Sequence, residues 1–103
     1  MKVNLNSRHN SHHADGEYNG KKIIVYAGSK INQTDAYAKM PPKIKEQRHD
    51  PNLVSQDGIL LKNISFESPT GAAVFVTGRS TNGKVAWRVN NSMSIKEYLK
   101  SKD

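Results

Sequence analysis

The sequence predicts an α+β domain, a small mixed or antiparallel sheet with two to three short helices packed on one side. Three observations lead there. Lys22-Ile23-Ile24-Val25-Tyr26-Ala27 is a β-branched run bounded by glycines, the clearest strand in the chain. Ser68-Pro69 opens and Gly78 closes a segment, Gly71 to Val76, that is apolar almost all round and so reads as a buried helix. Strand and helix signals then alternate roughly β-β-α-β-α-β-α over 103 residues, with no internal repeat.

Taken in order, Met1 to Asn6 alternates Val3 and Leu5 with polar residues and predicts a short edge strand. Ser7 to Gly20, rich in His, Asn, Asp and Gly, predicts a loop or hairpin tip. Gly28-Ser29 breaks the strand over 22–27, and Lys30-Ile31 resumes it. Thr34 or Asp35 can cap a turn carrying Ala36, Tyr37 and Ala38, which Pro41-Pro42 ends. A helix from Pro42 would turn Ile44 inward and Lys43, Lys45, Glu46 and Arg48 outward. Asp50-Pro51 repeats the cap-and-proline signal for a helical segment with Leu53 and Val54, ending near Gly58. Ile59-Leu60-Leu61 predicts a strand, with Ile64 and Phe66 packing inward after it.

In the central segment Gly78 suits a left-handed C-cap. Asn82-Gly83 predicts a tight turn, and Lys84 to Val89 alternates like a half-buried strand around Trp87, the only tryptophan and a natural core anchor. Asn90-Asn91 turns the chain. Ser94-Ile95-Lys96-Glu97 fits a capping box opening a helix that buries Ile95, Tyr98 and Leu99. The whole chain, 1–103, is one domain, with a core over about 14–99 and a mobile edge strand and polar loop over 1–13.

Composition narrows the function. There is no cysteine, hence no disulfide framework, thiol nucleophile or thiolate metal site. No signal-like or membrane-spanning apolar run occurs, so a cytoplasmic location is expected. The net charge is +7, with nine basic and five acidic residues over 1–50 and seven and four over 51–103. A basic excess spread along a folded chain favours polyanions through counterion release, although a lysine-rich surface also serves solubility alone.

His9, His12, His13 and His49 match no established metal spacing, and no metal or other cofactor is expected. Nucleophile elbows, Walker loops and His-Glu-x-x-His are absent, so no catalytic residue is assigned. Ser29 follows a glycine in an expected turn. The loop Gly78-Arg79-Ser80-Thr81-Asn82-Gly83-Lys84 offers two cations, two hydroxyls and an amide. Arg pairs bidentately with guanine and Asn with adenine, but Gly78 and Asn82-Gly83 serve equally to shape the connection. Tyr18, Tyr26 and Tyr37 could line a base-stacking groove, or simply be half-buried.

At Phe66 to Trp87 the sequence resembles the signature of a small bacterial domain of unknown function, usually appended to GIY-YIG-type nucleases and other restriction-modification proteins. The resemblance rests on Phe66, Ser68, Pro69, Ala72, Ala73, Gly78, Arg79, Ser80, Asn82, Gly83 and Trp87. Thr70 and Gly71 stand where serine and alanine are usual. Ala14-Asp15-Gly16 with Ile23 to Lys30 is similar to the family's opening strand and Gly-Ser-Lys turn, and Ser94 to Tyr98 to its closing helix. Pro41-Pro42 and Asp50-Pro51 interrupt a helix that the family usually carries. The likeness spans about 14–99. It implies a module related to restriction-enzyme adenine-methylase-associated domains, which are thought to bind DNA, modified DNA included. It does not imply nuclease activity, because no paired Gly-Ile-Tyr and Tyr-Ile-Gly are present.

The expectation is therefore a non-catalytic DNA-binding accessory module, with no membrane partner and no small-molecule substrate. Arg79, Ser80, Asn82, Lys84, Ser29, Lys30 and Arg88 are the candidate contacts. The alternative is a protein-interaction module whose basic face docks an acidic partner such as a nuclease or defence protein.

Overall fold

The computed structural model describes residues 1–7 and 11–101. Its frame is one six-stranded sheet of β1 (Lys2–Asn6), β2 (His13–Tyr18), β3 (Ile23–Val25), β4 (Ile64–Phe66), β5 (Arg88–Asn90) and β6 (Met93–Ser94). The order is β4-β3-β2-β1-β5-β6, every neighbouring pair antiparallel. The helices are α1 (Pro42–Arg48), α2 (Pro69–Thr77), α3 (Gly83–Ala86) and α4 (Ile95–Ser101). An α+β architecture with an antiparallel sheet is what the sequence predicts.

Register decides what is buried. Val3 lies opposite Gly16 and Leu5 opposite Ala14, Tyr18 pairs with Ile23, and Ile23 with Phe66, so these residues share one face. That face is the core, closed by Ala72, Ala73, Phe75 and Val76 of α2. The Phe66 and Phe75 rings meet at 5.2 Å and 46°. The intervening positions Lys2, Asn4, Asn6, Asp15, Glu17 and Ile24 point the other way, and none of them is buried. Sequence period two thus yields a sheet with one dry and one wet face.

Six expectations need correction. β1 is not an edge strand outside the core: it is central, between β2 and β5, with Val3 and Leu5 each 3 % exposed. Residues 13–18 are not loop but β2; the inward positions include Ala14 and Gly16, too small to give a hydrophobic pattern. Arg48 does not face outward. Its side chain is 1 % exposed, and its guanidinium donates to the carbonyls of Phe75, Asn32 and Thr34 and to Asp35 Oδ1.

The stretch after Asp50 is a turn rather than a helix: Asp50 Oδ1 accepts from the Asn52 N–H, while the Asp50 carbonyl accepts from Leu53 and Val54. Ile59 and Leu60 form single bridges, to Lys30 and Val54, in place of a strand. The sixth correction falls at Asn82. This residue starts no tight turn but caps α3, its Oδ1 accepting from the Lys84 N–H, so 84–89 divides into a helical turn and β5.

Other expectations hold. Ser68 Oγ accepts from the Gly71 N–H with Pro69 at the first helical position. Gly78 ends α2 with φ +71°, and a Cβ there would overlap the Thr34 carbonyl. α1 starts at Pro42. Ser94 and Glu97 form the reciprocal capping box: Glu97 Oε1 accepts from the Ser94 N–H and Ser94 Oγ from the Glu97 N–H. Among the described residues, no helix is long and apolar enough to cross a membrane.

Candidate nucleic-acid interface

The segment 66–87 forms a clasp between α2 and α3. Trp87 is fully buried and its Nε1–H donates to the Pro69 carbonyl at 3.1 Å. Thr70 Oγ1 accepts from the Gly83 N–H at 3.1 Å. A Cβ on Gly83 would run into the Pro69 carbonyl and the Thr70 nitrogen, so the glycine is what lets the two backbones meet. Ser68, Pro69, Gly78, Asn82, Gly83 and Trp87 therefore have structural work within the motif. Two motif residues do not. The Arg79 guanidinium and the Ser80 hydroxyl are exposed and have no hydrogen-bonding partner among the described residues.

Arg79 and Ser80 line an open cleft of about 450 Å³ with Ser7, Ser11, His12, Thr77 and Thr81. The loop is held from within. Thr77 and Thr81 hydroxyls lie 2.9 Å apart, and the Thr81 hydroxyl donates to the Arg79 carbonyl. On the opposite wall Ser7 Oγ accepts from the Ser11 and His12 N–H groups. Burial pushes His12 below the usual imidazole range, and the positive charge of Arg79 adds to the effect. A neutral imidazole, hydroxyls and an uncommitted guanidinium thus face one space.

Lys30 belongs to the same end of the sheet, since it pairs with His13, the residue following His12. Lys84 lies on α3, exposed. Arg88 lies opposite Asn4 in the sheet and shares a second depression, about 390 Å³, with Asn4, Asn6, Val85, Ala86, Asn90 and Asn91. Ser29 does not join these surfaces: it is 4 % exposed, and its Oγ accepts from the Asp15 N–H and donates to the Asp15 carbonyl. Asn82 spends its side-chain oxygen on the cap. Asn4 and Asn6 were absent from the sequence candidates; the signal was their alternation with Val3 and Leu5, which places them on the wet face.

The tyrosines do not form one stacking groove. Tyr18 is in the core, and Tyr26 donates its hydroxyl to Glu17 Oε2 at 2.7 Å. Among the described residues no three His, Asp or Glu side chains converge on a metal position; His9 lies outside the described residues. His49 Nε2 lies 2.5 Å from Asp35 Oδ2 beside a cleft of about 440 Å³, but Arg48 there is wholly committed to carbonyls and Asp35.

Fold and surface together define a small antiparallel α+β module whose polar groups are displayed on an open sheet end and face rather than in an enclosed pocket. The chain belongs to the family described as a domain of unknown function, DUF4357, whose model matches residues 4–99. No curated protein and no solved structure matches it.

Proposed function

We propose that this domain is a non-catalytic nucleic-acid-binding module that takes duplex DNA, modified DNA included, as an accessory to restriction-modification or defence proteins. The observation that carries the reading is a set of exposed cations without ion-pair partners. Lys30, Arg79 and Lys84 make no ion pair among the described residues, in a chain of net charge +7. Cations left unneutralised on a folded surface release counterions when they meet phosphates. The cleft hydroxyls of Ser80, Ser7 and Ser11 add neutral hydrogen-bonding groups suited to phosphate oxygens. The restriction-modification context rests on the sequence resemblance at 66–87.

Fluorescence anisotropy with a short duplex, unmodified and adenine-methylated, at about 50 and 200 mM salt tests the reading. Affinity is expected to fall steeply with salt, and Arg79→Ala to reduce the log–log slope by about one. Absence of duplex binding at the lower salt overturns it and favours an acidic protein partner instead.

A further inference from the structure

We infer that the wet face of β1 and β5 reads base edges in the major groove of a B-form duplex. This rests on the nucleic-acid reading above and specifies where sequence information enters. A pair of adjacent strands fits a major groove about 12 Å wide. Asn4 and Asn6 stand two residues apart on β1, and Arg88 is the direct partner of Asn4 on β5. All three line one depression together with Val85, an apolar residue left 47 % exposed.

The side-chain chemistry matches base edges better than it matches phosphates. An uncharged amide adds nothing to polyanion attraction, yet with its donor and acceptor it pairs bidentately with adenine; arginine does so with guanine, and an apolar side chain meets the thymine methyl. Asn6 Nδ2 donates to Asn4 Oδ1 at 3.1 Å, which leaves the Asn4 amide NH₂ and the Asn6 amide oxygen without partners among the described residues. Asn90, by contrast, spends its oxygen on the Ser92 N–H and hydroxyl in the β5–β6 turn, so it is a turn residue rather than a reader. Among the described residues no carboxylate lines the depression, and Arg88 spends one Nη donor on a long bond to the Asn91 carbonyl at 3.4 Å while Glu97 lies within reach of its charge. Asp15 and Glu17 on β2 lie opposite Asn4 and Lys2 and would repel phosphates, so the footprint extends from β1 towards β5 and away from β2.

The test is selection from a randomised duplex pool at fixed salt, followed by affinity ratios for the selected duplex against a scrambled one. The wild-type chain is expected to enrich a defined sequence. Asn4→Ala and Arg88→Lys, with unchanged melting, should each lower the ratio roughly tenfold. Arg79→Ala should weaken both duplexes equally and leave the ratio intact. Salt-dependent binding without any sequence preference, or ratios unaltered in both Asn4→Ala and Arg88→Lys, overturns this inference alone. Failure to bind any duplex overturns the nucleic-acid reading with it.

Discussion

Arg48 donates from Nη1 to the Phe75 carbonyl at 2.6 Å, from Nη2 to Asn32 at 2.7 Å and from Nε to Asp35 at 2.9 Å. It ties α1 to the last turn of α2 and to the segment before α1, its bond to Phe75 buried and those to Asn32 and Asp35 half-buried at the edge of the core. A guanidinium can satisfy this arrangement because its donors are fixed in one plane; an ammonium cannot reach them all at once. Arg48→Ala leaves the buried Phe75 carbonyl without its partner and is expected to cost about 1–3 kcal/mol by urea unfolding. Arg48→Lys should recover only part of that. Lys45→Ala, three residues earlier on the exposed side of the same helix, should stay within about 0.5 kcal/mol. Equal effects at 45 and 48 would refute the assignment. The sequence pattern of α1 hid this role, since arginine at a helix end ordinarily faces water, and only the approach of α2 supplies acceptors in the interior.

At the scale of elements, the joint between α2 and α3 depends on the absence of a side chain at residue 83. Gly83→Ala forces the Pro69–Thr70 backbone away, and backbone cannot give as a flexible side chain would. The expected loss is roughly 1–3 kcal/mol, with reduced near-ultraviolet dichroism from Trp87 as its packing loosens. Thermal melting that leaves Gly83→Ala as stable as the parent would dismiss the clasp. The same joint explains what could be read from the chain and what could not. The start, stop and burial of α2 were legible because Ser68, Pro69 and Gly78 act locally, within a turn of where they stand. The capping box at Ser94 was legible for the same reason. The helical turn at 83–86 was not, because Val85, Trp87 and Val89 alternate like a strand and only contact with Pro69 and Thr70 selects the tighter backbone. Nor was β2, whose identity comes from pairing with β1 and β3 rather than from Ala14 and Gly16 themselves. Of the candidate contacts, Arg79 and Ser80 keep side chains without partners among the described residues, whereas Ser29 was misleading because its hydroxyl is claimed by Asp15 across the sheet.

For the molecule as a whole, three carboxylates, Glu17, Asp35 and Glu97, sit where folding favours their charged form. Burial raises the Asp35 carboxyl, but hydrogen bonds from His49 and Arg48 and the Arg48 charge outweigh it, leaving Asp35 below its usual 3.8. The Tyr26 hydroxyl and the N-terminal ammonium lower Glu17, and the Ser94 N–H and hydroxyl lower Glu97, both from 4.5. A carboxyl lower in the folded chain than in the unfolded one contributes stability above the unfolded value and loses it as pH falls through the folded value. Protonation of these groups also removes negative charge from a chain already at +7, so repulsion among its cations grows in the same window. Urea midpoints are therefore expected to decline gently from about pH 7 to 5, where the unfolded chain protonates His12 and the folded one resists it, and to drop more steeply below about pH 5, where the unfolded carboxyls begin to take up protons. Asp35→Asn should flatten part of that drop while lowering the neutral-pH midpoint, since the amide keeps an acceptor for Arg48 but not the charge. A midpoint insensitive to pH between 2.5 and 7, or an Asp35→Asn profile parallel to the parent's, would show that the Arg48–Asp35–His49 group adds no pH-dependent stability.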